Sequence, residues 1–572
     1  MIDRDAFGYV VAVENGTVRI NLLDAHRGQM AGHSQGISPV VDPGTPFGVN
    51  GGPVLFVLRV RAVSFVEPRE AHRAGVGTTN LSAEPLRILE GTPMGTLSRV
   101  GSRKVFTPDS GVSPSLGAAA YPLLPAELAA LLEDGEAGTR VLLGTEARTG
   151  LSVSVALTPF LGRHVAVLGG TGQGKTCFTA AVLQQLAAQP KSRIVVFDVN
   201  GEYGDALRQH AGIRYKETVL GGPTPTLKIP YYAFGRHGLS RLLLPSEKTQ
   251  RPALAFALEN LARVEWDGVQ RGARLAGQTT SVFFDDGRPG DASRTAQALE
   301  QLRAGTSPLA TRWPAMLALG ALVADSHAVK QGSRGFERDA WTYGNVSPLV
   351  TRIRRFVDDP RFTEVVDVDG GPSHVAMRWE DEGRAVVEDI FGGPALGSWR
   401  VHVVNLRSVV HDLMPMVLGS LLELLALALF ERGQENSFPT LLVLEEAHHY
   451  LRQVADGEDP EKTALAYERL AKEGRKFGLS LWVSTQRPSE VSPTVLAQCG
   501  TWAVFRLSGE RDLKAVAAAG EWVDRDELRR VAALPRQHAV VFGAGIPLPV
   551  RLCSRVADPR PRSHDPDFGR WT

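Results

Sequence analysis

The chain has 572 residues, 43% of them hydrophobic and 22% charged, with 63 basic against 62 acidic side chains and a net charge of +1. These values suit a soluble globular protein of about three or four domains. They exclude whole-chain disorder and a uniformly basic nucleic-acid binder, but not a local basic surface such as a pore lining. The three cysteines, Cys177, Cys499 and Cys553, are too few and too scattered for a disulfide framework or a zinc site. A reducing cytoplasm is the simplest setting. The opening MIDRDAFGYV lacks the basic and apolar stretches of a signal peptide. The apolar run Leu413–Phe430 is broken by Pro415, Ser420 and Glu423, so it reads as a buried core helix rather than a membrane span.

In chain order, the first hundred residues read as β. Tyr9–Val13 and Thr17–Leu22 alternate around Asn15-Gly16, a strong hairpin signal because both turn residues need positive φ. Val54–Val66 and Leu86–Leu89 follow, separated by Gly- and Pro-rich stretches, and suggest a small barrel, with a sandwich as the alternative. Pro122–Glu133 is a short helix. From Arg163 onward the pattern becomes α/β, with strands at His164–Leu168, Arg193–Asp198, Val401–Leu406, Leu441–Glu446, Leu479–Thr485 and Trp502–Leu507. Helices at Lys175–Leu186, Asp412–Arg432 and Ala464–Phe477 lie between them. Continuously apolar strands separated by helices predict a parallel sheet covered on both faces. Between about Tyr232 and Gly344 the alternation stops, and Pro252–Val264, Ser293–Arg303 and Trp313–Asp325 carry helical periodicity. This predicts a helical insertion. The Pro- and Arg-rich tail predicts an extended arm, in which Phe568 and Trp571 are candidates to clasp an adjacent subunit.

Gly169-Gly170-Thr171-Gly172-Gln173-Gly174-Lys175-Thr176 matches G-x-x-x-x-G-K-[ST] between a strand and a helix, the context a phosphate-binding loop requires. Backbone N–H groups and the helix N-terminus would face the phosphates of ATP. The nucleotide-binding stretch is therefore Gly170, Thr171, Gly172, Gln173, Gly174, Lys175, Thr176 and Cys177. Lys175 would reach the β- and γ-phosphates and Thr176 would ligate Mg²⁺. A second core strand, LLVL, ends in Glu445 and Glu446. Adjacent carboxylates at such an edge need a cation or water network, which suits Glu445 for the Mg²⁺ shell and Glu446 for the general base. His448 is expected to hydrogen-bond nearby. Asp198 and Gln486 also end strands, where ligand chemistry gathers in α/β sheets. Arg475, in EGRKFG, is either a helix-end charge or an arginine finger, and Arg163 either faces nucleotide or caps its strand.

Taken together, LGRHVAVLGGTGQGKT, FDVNGEYGD, LLVLEEAHHYL, EGRKFGLSLWVSTQRPSE and LPRQHAVVFG occur in that order behind a β-rich N-terminal region. The chain thereby resembles the HerA family of DNA translocases, in the HerA/FtsK branch of P-loop ATPases, over about residues 5–555. The resemblance implies a RecA-like α/β ATPase domain with a helical insertion, a small N-terminal β-barrel of the HerA/ATP-synthase type and an extended C-terminal arm. The corresponding divisions are 1–120 for the barrel, 121–231 and 345–556 for the ATPase domain, 232–344 for the insertion and 557–572 for the arm. It implies a homo-hexameric ring with ATP and Mg²⁺ between subunits, double-stranded DNA in the central channel, no membrane, and a NurA-type nuclease partner in DNA-end resection. By motif, Lys175 and Thr176 hold phosphate and Mg²⁺, Glu446 is the catalytic acid, Gln486 the sensor and Arg475 the group supplied by a neighbour. Arg163 and Asp198 join the nucleotide site. Arg452 and Lys462, after the acidic strand, are candidate DNA contacts. The alternatives are an FtsK- or conjugation-like DNA pump and an AAA-like protein-remodelling ATPase.

Overall fold

The computed structural model describes residues 5–14, 16–23, 30–33, 36–39, 42–66, 86–101, 103–108, 111–133, 138–285, 291–326, 329–373, 377–452, 467–520 and 530–562. Asn15, Lys462, Phe568 and Trp571 lie outside these residues.

The N-terminal strands close on themselves. The sheet runs Thr17–Leu22, Gly8–Glu14, Ala119–Pro122, Pro46–Asn50, Val54–Val66 and Leu86–Val100, and the last strand pairs back onto the first, Val18 opposite Gly91 and Asn21 opposite Ile88. This is a six-stranded barrel, with Arg103–Pro108 paired outside it along Leu86–Val100. Alternation puts Val10, Val18, Ile20, Phe47, Val49, Leu58 and Leu89 inside. The strand expected at Leu86–Leu89 extends to Val100 through Gly91, Pro93 and Gly95, residues that read as strand breakers in isolation. Closure removes the sheet edges that a sandwich would leave.

The ATPase domain is built on one eleven-stranded sheet. Its order is Ser152–Ala156, Arg140–Glu146, Val550–Ser554, His538–Gly543, Cys499–Phe505, His164–Leu168, Leu479–Thr485, Thr440–Leu444, Ile194–Asp198, Val401–Asn405 and Tyr215–Val219. The seven strands from Cys499–Phe505 to Tyr215–Val219 are parallel, as the apolar runs predict. The other four are antiparallel, so the sheet is mixed. Apolar side chains fill both faces in two separate cores. Helix Met414–Arg432 is long and apolar enough to cross a membrane by length and composition. Here it packs against helices Trp379–Phe391 and Tyr467–Glu473 and buries Val417, Leu418, Leu421, Leu422 and Leu425, which accounts for its apolar character.

Among the described residues from 220 to 400, no strand joins the main sheet. The segment outside the sheet is thus longer than the periodicity at 232–344 indicates. It contains helices Gln250–Asn260, Ala292–Arg303, Leu317–Ser326, Ala340–Asp358 and Trp379–Phe391, together with small β pieces such as the hairpin Val329–Gly332 and Gly335–Arg338. Leu317–Ser326 is apolar almost all round and sits at its centre, with Ala318 through Ser326 buried. Tyr232 stacks on Trp313 at 5.2 Å, and Trp313 meets Trp379 at 4.5 Å.

Barrel and ATPase domain meet at polar contacts. Arg59 Nη2 donates to the Pro549 carbonyl at 3.0 Å, and Arg148 donates to Thr45 Oγ1 and the Pro43 carbonyl. After Val550–Ser554 the chain runs along the ATPase domain. Gln184 Nε2 donates to the Pro559 carbonyl at 3.0 Å, its Oε1 accepts from Asp558 N–H at 3.1 Å, and Arg562 N–H donates to the Glu202 carbonyl at 3.0 Å. The described part of the arm therefore lies on its own subunit.

Candidate active site

The phosphate loop connects His164–Leu168 to helix Lys175–Ala187 at the carboxyl end of the parallel strands. Two glycines are sterically required. A Cβ on Gly169 would stand 2.5 Å from Phe505 Cβ, and Gly174 caps the helix at φ 110°. Gly170 N–H bonds the Arg506 carbonyl at 2.9 Å, and Gln537 N–H bonds the Gln173 carbonyl at 2.8 Å, so the loop is tied to the end of Cys499–Phe505 and to the start of His538–Gly543.

Lys175 is buried, with Nζ donating to the Gly170 carbonyl at 3.1 Å. Burial lowers its pKa, while the nearby carboxylates of Glu446, Glu445 and Glu202 oppose the shift. Asp198 accepts the N–H groups of Glu202 at 3.0 Å and Tyr203 at 2.9 Å. Its pKa is raised, chiefly by burial. Asp198 therefore organises the loop 198–203 and does not present a free carboxylate to nucleotide, as the motif comparison implied. Glu202, carried by that loop, has its pKa raised chiefly by burial, with the nearby Thr176 hydroxyl opposing the shift.

Glu445 is wholly buried and accepts the Tyr203 hydroxyl at 2.8 Å; burial first and Glu446 second push its pKa up to about 7. Glu446 is only 5% exposed and sits at φ 46°, ψ 47°, a left-handed conformation unusual outside glycine. Its Oε1 accepts from Gln486 Nε2, and Gln486 Oε1 accepts from the Thr171 hydroxyl. A continuous hydrogen-bonded chain thus joins the phosphate loop to the acidic strand end. The other oxygen, Oε2, is buried with no hydrogen-bond partner and lies 3.4 Å from His448 Nδ1. His448 Nδ1 is also 3.0 Å from Thr485 Oγ1, in keeping with the supporting role expected of it. Beside this array opens a cleft of about 760 Å³, lined by Asn200, His411, Glu446, His448, Arg452 and Gln486 among others. Arg452 is exposed at this cleft.

Cys177 follows Thr176 in the first turn of the helix, its side chain half-buried against the core. Two expected site residues lie elsewhere. Arg163 precedes His164–Leu168, so the whole strand separates it from the loop at the other end, and its side chain crosses Gly500. Arg475 is exposed in the turn Gly474–Phe477 that precedes Leu479–Thr485, again at the amino end of the strands. A five- to seven-residue strand spans about 17–23 Å, so neither arginine reaches its own subunit's loop. His164 ties the two regions together: its Nε2–H donates to the Ala471 carbonyl at 2.7 Å and its Nδ1 accepts from Leu481 N–H at 3.0 Å. Burial holds its pKa at about 4.

The array fits a nucleotide and a divalent cation. One buried cation, Lys175, faces the carboxylates of Glu202, Glu445 and Glu446, and one oxygen of Glu446 is buried without a hydrogen-bond partner. Added positive charge would relieve that surplus. Glu202, Tyr203 and His164 were not apparent from sequence. The only signal for Glu202 and Tyr203 was their place directly after the strand that ends in Asp198.

The chain is similar to several known proteins. Residues 141–286 match the family model described as helicase HerA, central domain. The DNA double-strand break repair helicase HerA of Pyrococcus furiosus is 23% identical over 449 residues, covering 72% of this chain and 68% of that protein. The HerA of Saccharolobus solfataricus is 23% identical over 448 residues, covering 77% and 72%. A probable helicase of Methanocaldococcus jannaschii is 37% identical over 111 residues, 19% of this chain and 21% of that protein. Among solved structures, VirB4 of Thermoanaerobacter pseudethanolicus aligns with 74% of this chain and 98% of its own at 17% identity and a TM-score of 0.43. The bacterial conjugative coupling protein TrwBdeltaN70 aligns with 78% and 94% at 15% identity and a TM-score of 0.42.

Proposed function

The chain belongs to the HerA family, and from that premise we propose that it is an ATP-driven double-stranded DNA translocase of recombinational repair. In this reading it works as a homo-hexameric ring in the cytoplasm, with DNA in the channel and a NurA-type nuclease resecting the DNA end. The observation that carries the proposal is the chain Thr171–Gln486–Glu446, which couples the loop that would hold phosphate to a buried carboxylate placed as general base.

In the proposed reaction, a water attacks the γ-phosphorus as the bond to the β-phosphate oxygen breaks, giving ADP and inorganic phosphate. Glu446 Oε2, which has no hydrogen-bond partner and lies 3.4 Å from His448 Nδ1, accepts the water's proton. Lys175 offsets charge on the β- and γ-phosphates, and Gln486 reports through Thr171 whether the phosphate is in place. Bound Mg²⁺, with Thr176 and Glu445 as the residues assigned to hold it, would neutralise phosphate charge. Arg163 and Arg475 share the end of the sheet remote from the loop, so they act on the nucleotide of a neighbouring subunit. Arg452, at the cleft beside Glu446, and Lys462 are the assigned DNA contacts; near-neutral net charge suits a ring that multiplies a few basic residues by symmetry.

The test is ATP hydrolysis with and without linear double-stranded DNA, alone and with the nuclease. Stimulation by DNA is expected. Lys175→Ala should abolish it, and Glu446→Gln should lower kcat by about a hundredfold or more while ATP still binds. Full activity in Glu446→Gln would remove the general base from this account.

A further inference from the structure

Barrel and ATPase domain do not close completely on each other. Between them lies a cavity of about 140 Å³. Its walls come from both sides: Phe47 and Met94 of the barrel, Leu128 and Leu132 of the linking helix Pro125–Leu132, and Val540 and Leu548 of the ATPase domain. A cavity of about 150 Å³ lined by such side chains takes up benzene from water, so this one has room for one aromatic ring or one branched alkyl group. None of the phosphate-loop residues lines it.

The polar lining is one-sided. Arg59, Arg148, Arg530 and Arg551 stand around the cavity, and Glu146 is the one acid among its described lining residues. Glu146 Oε2 is already engaged by the N–H groups of Arg148 at 3.1 Å and Thr149 at 2.7 Å. Arg148 donates to neutral oxygens, Thr45 Oγ1 and the Pro43 carbonyl. Arg551 Nε is buried with no hydrogen-bond partner. Burying such a nitrogen without an acceptor is costly, and the guanidinium fork matches the paired oxygens of a carboxylate or phosphate. An apolar space of one-ring size with this charge at its edge complements a molecule that is apolar at one end and anionic at the other.

We propose that the cavity is a binding site for a small amphipathic anion: an aromatic or branched alkyl group carrying a carboxylate or a phosphate. The apolar body fills the space beside Leu128 and Leu548, and the anion meets Arg148 and Arg551. Because the walls belong to both domains, the bound ligand fastens the barrel to the ATPase domain. The inference is independent of the nucleotide reading.

The experiment uses the full chain, with phenylpropanoate and phenyl phosphate as probes and isothermal titration calorimetry as the readout. At least one of the two should bind once per subunit with a dissociation constant of about 1 mM or lower, and the tighter one identifies the head group. Phenylpropanol, which has the ring without the charge, should bind at least about tenfold more weakly. Arg551→Met should weaken binding of the anion about tenfold or more and leave the alcohol unchanged. Leu128→Trp, which fills the space, should abolish binding of both; if its thermal melt shows that it does not fold, Arg551→Met decides alone. Failure of both anions to bind the parent chain would overturn the inference. So would equal affinity for anion and alcohol, or an anion affinity unchanged in Arg551→Met.

Discussion

Glu446 stands at the junction of conformation and chemistry. A non-glycine residue in the left-handed region costs about 1–3 kcal/mol. The hydrogen bond from Gln486 and the fully buried neighbours Ala447 and Tyr450 hold it there. Its place beside the phosphate loop was legible because two adjacent acids end an apolar strand, and that of Gln486 because an amide ends the next one. Arg163 and Asp198 were less legible. Sequence places both at strand ends, but it does not say that Arg163 is at the amino end or that Asp198 spends its oxygens on its own loop. A second residue-scale consequence concerns pH. His164 and His402 are both buried, with pKa values lowered from 6.5 to about 4. The unfolded chain therefore binds more protons than the folded one between these values, and stability falls as pH drops from about 6.5 towards 4. For His164 the loss between pH 7.5 and pH 5 is about 2 kcal/mol. Urea titrations at the two pH values should show a smaller pH effect in His164→Gln, and an equal effect would contradict a neutral, buried His164.

At the scale of elements, five of the seven parallel strands and the phosphate-loop helix were readable to within a residue or two, because apolar runs and G-x-x-x-x-G-K-T are local signals, whereas Cys499–Phe505 was expected about three residues late and the half-exposed edge strand Tyr215–Val219 was missed. The antiparallel strands Arg140–Glu146, Ser152–Ala156, His538–Gly543 and Val550–Ser554 were not placed: Arg140–Glu146 meets Val550–Ser554 only across about four hundred residues of sequence, and the local pairings of Ser152–Ala156 and His538–Gly543 were not read. The long barrel strand was cut short at its glycines, whose strand conformation depends on pairing with Val54–Val66. Nor did composition show how the tail is fastened. Gln184 bonds the Ala206 and Pro559 carbonyls and Asp558 N–H from a buried position. Gln184→Ala leaves those backbone groups unpaired and should cost about 1–3 kcal/mol. A thermal melt checks this, and an unchanged midpoint would mean that the tail is held by other contacts.

For the whole molecule, the decisive fact is that the phosphate loop and the exposed arginines occupy opposite ends of one sheet. A ring of identical subunits brings such opposite ends together at each interface. Lys175→Ala and Arg475→Ala should each be inactive alone. Mixed rings should regain activity, because roughly a quarter of interfaces at equal mixing join an intact loop to an intact arginine. Failure of the mixture, with exchange of subunits verified by mass, would contradict action in trans. The sequence divides at about Arg163, where short alternating strands give way to α/β alternation, and at about Tyr232, where that alternation stops. The end of the helical stretch is not legible in it, because helices Ala340–Asp358 and Trp379–Phe391 have the same periodicity as those of an α/β domain.

The central claim is movement along double-stranded DNA driven by ATP, and displacement of a third strand from linear duplex tests it most directly. The account predicts that the chain, with its nuclease partner where needed, strips a triplex-forming oligonucleotide from the duplex in the presence of ATP, and that Lys175→Ala and Glu446→Gln do not. An assembled ring that hydrolyses ATP on duplex DNA yet leaves the third strand in place would contradict it.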